Sequence, residues 1–173
     1  MTGAGVLVVG YGNSLRTDDG AGWHAAHLLA ADPRLADAQV LARHQLAPEL
    51  AVDVSRASLV VLVDATPDGD PGSVTVRRVR PHPATTATWS HHLAPEALAG
   101  LAETLYGPAP PIVLVSVAAA SFAEGDRLSS TLEAALPELV EVVARVVAGG
   151  TDGPGERGVG GPTAGEGSER RLE

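Results

Sequence analysis

The chain has 173 residues, 45% of them hydrophobic and 19% charged, which is the size and balance of one globular domain with its own core. Its formal net charge is -9 and all 12 of its basic residues are arginines, which argues against nucleic acid or an anionic membrane as its main partner. The absence of cysteine excludes disulfides, thiolate catalysis and cysteine-ligated zinc or iron–sulfur centres, and with 3% aromatic residues the core has to be built from Val, Leu, Ile and Ala.

Val6 to Val9 is a continuous aliphatic run of the kind found in strands covered on both faces. This run is too short for a secretory signal and no basic leader precedes it. No apolar stretch approaches the ~20 residues of a membrane span, so the expectation is a cytoplasmic protein. A Gly10-Tyr11-Gly12-Asn13 turn follows, then Leu15-Arg16-Thr17, two adjacent carboxylates (Asp18 and Asp19) and a predicted helix from Gly20 to Ala31 that stops before Asp32-Pro33. Gln39 to Ala42 reads as a second strand, and Pro48-Glu49-Leu50 opens a short helix to about Arg56.

Leu59 to Val63 is a second buried strand, ending on Asp64. Ala65 to Gly72 is dense in turn formers, and Val74 to Arg80, with its three arginines, has the pattern of an edge strand. Pro81 to Trp89 is expected to be extended, with Ser90, His91 and His92 after it. A helix from Ala94 to Tyr106 should bury Leu98, Leu101 and Leu105 on one face. Ile112 to Val117 is the last apolar strand. After a loop to Arg127, Ser129 or Ser130 caps an amphipathic helix marked by Leu132, Ala135, Leu136, Leu139, Val140, Val143 and Val146. From Gly149 the chain is rich in Gly, Pro and charge and is expected to be a disordered tail. Strands alternating with helices predict a single three-layer α/β domain over residues 1–148, with a mostly parallel, twisted sheet flanked by helices on both faces.

Open α/β sheets bind ligands beyond the carboxyl ends of their strands. Two of the apolar strands lead to acids there, one to Asp18 and Asp19, the other to Asp64, and the loop before the third helix supplies His91 and His92. Two carboxylates and an imidazole suit a borderline divalent ion such as Zn2+, Ni2+ or Mn2+. Plainer roles compete: one of the adjacent acids can serve the helix start, Asp64 can open an Asx-turn, and the paired histidines can be a solvated loop. Asn13 fits a turn-supporting role, and His24 and His27, three apart on one helix, fit a structural one. Gly10-x-Gly12 also suggests a dinucleotide fingerprint, but position 15 is Leu and two acids stand where a pyrophosphate would approach the helix. No Gly-x-Ser-x-Gly elbow is present, so attack by water is favoured over an acyl-enzyme.

Taken together, the stretch GYGNSLRTDDGAG (Gly10 to Gly22), the LVVLVD strand to Asp64, Ser90-His91-His92-Leu93, Val115-Ser116-Val117 and Ala135-Leu136-Pro137-Glu138-Leu139 resemble, in order, the hydrogenase maturation proteases over about residues 5 to 148. The resemblance implies an endopeptidase that removes the C-terminal extension of a nickel-loaded [NiFe]-hydrogenase large-subunit precursor, its partner. Nickel would be recognised in the substrate as Ni2+, at a site that other divalent ions such as Zn2+ can also occupy. The family's three metal-contacting, catalytic positions correspond to Asp19, Asp64 and one of the paired histidines. His91 keeps the usual spacing to Leu93 and Leu98, and His92 is the alternative. Two departures stand out. The best-known members carry Glu where this chain has Asp19, and many carry a Gly-rich segment where this chain has Arg43-His44-Gln45-Leu46-Ala47-Pro48-Glu49-Leu50, a pattern similar to a subset of relatives. A non-proteolytic nickel-sensing or large-subunit-binding maturation factor is the alternative from another functional class.

Overall fold

The computed structural model describes residues 5–83 and 93–149. Five strands, β1 (Val6–Tyr11), β2 (Gln39–Arg43), β3 (Leu59–Thr66), β4 (Val74–Val79) and β5 (Ile112–Ala118), form one sheet in the order β2-β1-β3-β5-β4. All neighbouring pairs are parallel except β4 with β5, and β4, where three of the arginines fall in or just beyond the strand, is the predicted edge. Among the described residues four α-helices cover the sheet: α1 (Ala21–Ala30), α2 (Leu50–Arg56), α3 (Pro95–Tyr106) and α4 (Ser130–Val147).

Period-two alternation divides the core between the faces. Val8, Val61, Val63, Val113 and Val115 pack with α1 and α4, while Leu7, Val9, Tyr11, Val60, Leu62 and Leu114 pack with α2 and α3. Both faces are buried, which is why the strands read as unbroken aliphatic runs. The chain crosses from β1 to β2 on one side and returns to β3 on the other, so the β1–β3 boundary is the topological switch point, where such sheets open a crevice. No helix among the described residues is long and apolar enough to cross a membrane.

Several boundaries differ from the sequence expectation, each for a tertiary reason. Gly10 and Tyr11 belong to β1 rather than to a turn, because β1 keeps pairing with β2 through Tyr11↔Arg43. β3 runs past Asp64 to Thr66 because β5 continues to pair with it through Thr66↔Ala118, so Asp64 lies inside a strand and opens no Asx-turn. The periodicity of α3 holds for Leu98 and Leu101, yet Leu105 is 58% exposed: the apolar stripe outruns the surface it covers. A 3-10 turn (Thr17–Gly20) precedes α1, which begins at Ala21. Between the two capping candidates the cap of α4 is Ser129, whose side chain accepts from the Leu132 N–H. The predicted tail from Gly149 onward lies, save Gly149 itself, outside the described residues, as does most of the extended segment before the paired histidines.

Candidate active site

The glycines of the opening motif bring the helix onto the sheet. A Cβ on Gly10 would fall on the Gly22 carbonyl oxygen, and one on Gly22 would fall on the Val63 carbonyl oxygen, so α1 lies directly against β1 and β3 only because both side chains are absent. Gly12 has φ 143°, a value side chains rarely tolerate, and a Cβ there would fall on the Asp19 carbonyl oxygen. Asn13 closes the turn by accepting from the Leu15 N–H through Oδ1 at 2.9 Å, the turn-supporting role expected of it. The close approach of backbone accounts for Gly10 and Gly12.

The adjacent acids part company here. Asp18 is fully buried and accepts from the N–H of Ala120 (2.8 Å), Ser121 (3.0 Å) and Ser129 (2.7 Å) and from the Ser129 hydroxyl (2.8 Å). It therefore does not serve the start of its own helix, which has no side-chain cap; it ties the 3-10 turn to the far loop and to the start of α4. Asp19, half-buried, accepts from the Asn13 N–H at 3.0 Å and faces a cavity of about 560 Å³ at the switch point.

Asp64 lines the same cavity from β3. Its Oδ1 accepts from the Ala65 N–H at 2.7 Å, and burial, aided by the nearby Asp19 charge, raises its pKa to about 7 against the opposing pull of Tyr11 and the Ala65 N–H. Tyr11, on the adjacent strand, lies one step beyond the Gly10↔Val63 pair and therefore beside Asp64 on the same face. Tyr11 is 8% exposed and its hydroxyl has no hydrogen-bond partner among the described residues; it stands near enough to the Asp64 carboxylate to influence its titration without a formed hydrogen bond. Burial and that carboxylate push the phenol well above its ordinary value.

Residues from three further segments complete the walls: Leu15 and Arg16, His44 to Leu46, and Leu93 to Pro95 at the start of α3. His44 lies nearly parallel to Trp23 of α1, with ring centroids 6.4 Å apart and planes inclined by 16°. His24 and His27 do not line the cavity; Trp23 meets both edge-on, and burial, with the His27 charge, lowers the pKa of His24.

The structure thus brings together two of the residues singled out from the sequence, Asp19 and Asp64. His91 and His92 lie outside the described residues. Among the described residues no group of three or more His, Cys, Asp or Glu side chains is assembled to hold a metal, so Asp19 and Asp64 stand there as a pair of oxygen donors. Tyr11 and His44 were missed as site residues. Tyr11 could have been found by setting the two apolar runs side by side: each ends on a polar side chain in the equivalent position, Tyr11 after Val9-Gly10 and Asp64 after Leu62-Val63.

Neither a family model nor a curated protein matches the chain. Solved structures do. The chain is similar to the [NiFe] hydrogenase maturation protease HycI from Thermococcus kodakarensis (22% identity, TM-score 0.65, covering 84% of this chain and 93% of that one). It is also similar to the hydrogenase maturating endopeptidase HybD from Escherichia coli (24%, 0.63, covering 84% and 93%) and to a hydrogenase 2 maturation peptidase from a Thaumarchaeota archaeon (21%, 0.63, covering 83% and 98%). An open, mostly parallel five-stranded sheet between helices, matched over nearly the whole length of each of these proteins, gives this chain the fold of the hydrogenase maturation proteases.

Proposed function

We propose that this protein is an endopeptidase that removes the C-terminal extension of a nickel-loaded [NiFe]-hydrogenase large-subunit precursor in the cytoplasm. One observation carries the reading: on the fold shared with maturation proteases, Asp19 and Asp64 converge from two different segments on one open cavity at the switch point. That cavity has room for several residues of an extended peptide. The order of the sequence motifs supports the same reading.

Asp19, Asp64 and His91 contact the nickel carried by the substrate. Two carboxylates and an imidazole leave coordination positions for the precursor's own ligands, so recognition depends on the metal already being in place. Leu93 and Ala94, directly after the paired histidines, line the cavity, which supports one of that pair, His91 by the family's spacing, as the third contact. A substrate-borne ion polarises the scissile carbonyl. Water adds to the carbonyl carbon, its proton passes to a carboxylate, the C–N bond breaks, and the departing amine takes up the proton.

The test is co-expression with candidate large-subunit precursors while following their mass. The wild-type protein should release the C-terminal peptide only from nickel-loaded precursor, and Asp19→Ala, Asp64→Ala and His91→Ala should each slow release by about 100-fold or more. Normal release by all three variants would refute the assignment. Tight binding to the loaded precursor with no change in its mass would instead support a non-proteolytic maturation factor.

A further inference from the structure

Tyr11 is not explained by packing alone. A phenylalanine would fill the same space between β1 and the α2–α3 layer, yet the chain places a hydroxyl there, enclosed by protein and without a hydrogen-bond partner among the described residues. An enclosed donor of this kind calls for an acceptor. Two other charged groups act on the phenol, Arg77 and Glu96, but these are paired with each other at 2.6 Å. Asp64 remains. Its Oδ1 is held by the Ala65 N–H, and no hydrogen bond among the described residues reaches its Oδ2. Register places the two side chains on neighbouring strands, on one face, at the rim of one cavity.

We propose that Tyr11 is a positioning residue for Asp64, its hydroxyl donating to the second carboxylate oxygen and holding that carboxylate in the orientation the reaction uses. The inference rests on the proposed peptidase reading for its catalytic consequence, but the pairing itself does not. The Ala65 N–H fixes one carboxylate oxygen from the strand's own backbone, and the Tyr11 O–H fixes the other from the next strand. Two anchors on a two-oxygen group leave it a single orientation, whereas one anchor leaves it free to turn about that bond.

Tyr11→Phe removes the hydroxyl and keeps the ring, so the core stays filled and the variant should fold. Two measurements are made on it and on wild type. In protein labelled with carbon-13 at aspartate, the Asp64 carboxyl resonance, assigned through Asp64→Asn, should move in Tyr11→Phe while the Asp18 resonance stays in place. In processing assays with loaded precursor, kcat should fall about 10-fold with KM within about twofold, the pattern of a misoriented group rather than of a damaged fold. An Asp64 resonance unchanged by the substitution overturns the pairing, whatever the kinetics. A moved resonance with unchanged kcat overturns the positioning role. If wild type processes no precursor, the peptidase reading has failed, and the resonance still decides whether Tyr11 and Asp64 are paired.

Discussion

Two carboxylate environments lie one residue apart in this chain, and they are built on opposite plans. Around Asp18 four donors converge on a fully buried side chain, drawn from a distant loop and the cap of α4. Around the cavity, among the described residues, Asp19 and Asp64 each accept one backbone N–H, a phenol beside Asp64 has no partner, and burial raises the Asp64 carboxyl pKa to about 7. A polar cluster with every bond made is a fastener: it fixes one arrangement and has nothing left to offer a ligand. A cluster with bonds unmade is less stable than it could be, and the unmade bonds are what a substrate can complete. Adjacent residues of one chemical type thus divide the work of folding and of chemistry.

Removal of the Asp18 carboxylate tests this division of work most severely. Asp18→Ala leaves three backbone N–H groups and a hydroxyl enclosed without an acceptor, which should cost roughly 3 kcal/mol or more. In a domain of this size that lowers the midpoint of thermal unfolding by about 10 °C, and a midpoint within about 2 °C of wild type would show that the network holds nothing together.

Asp64→Asn tests the other side and should have the reverse sign. Because its carboxyl pKa is raised from an ordinary value of 3.8 to about 7, the folded protein retains a proton that the unfolded chain releases, so wild-type stability falls as pH rises through that window and is level above it. An amide at this position carries no such penalty. Asp64→Asn should match wild type near pH 4 and exceed it at pH 8 by as much as ~4 kcal/mol, while losing processing activity. Parallel stability curves for the two proteins between pH 4 and 8 would mean that the site is not under-satisfied.

The smallest effect is expected at an exposed ion pair. Arg77 and Glu96 meet at 2.6 Å across β4 and α3, half exposed, and Arg77→Ala should change stability by less than about 1 kcal/mol. A larger loss in urea unfolding would place part of the fastening on this pair as well.

Much of the fold could be read in advance because its signals are local. The aliphatic runs at Val6, Leu59 and Ile112, the proline and glycine breaks, and the apolar stripe of α4 each specify an element within a dozen residues. The pairing of Asp19 with Asp64 was legible for a topological reason, since parallel strands deliver their ends to one side of the sheet. What escaped was long-range. The donors to Asp18 lie 102 to 111 residues away, and nothing near Asp18 in the sequence announces them; locally, a place at the helix start is the role open to one of the two adjacent acids. The extension of β1 through Tyr11 and of β3 through Thr66 depends on neighbouring strands that continue to pair, and with it went the chance to see Tyr11 beside Asp64.

The Asp18 network also bears on how the molecule opens. Residues 119–129 form no regular secondary structure beyond a bridge from Gly125 to Arg16, and a loop of that length would ordinarily exchange its amide hydrogens with solvent within moments. Here the amides of Ala120, Ser121 and Ser129 are bonded to a carboxylate that solvent cannot reach until the turn before α1 lifts away. Their protection from deuterium is then set by the cooperative opening of α1, the loop and the head of α4 together, so that a segment without a ladder of its own opens as part of the core.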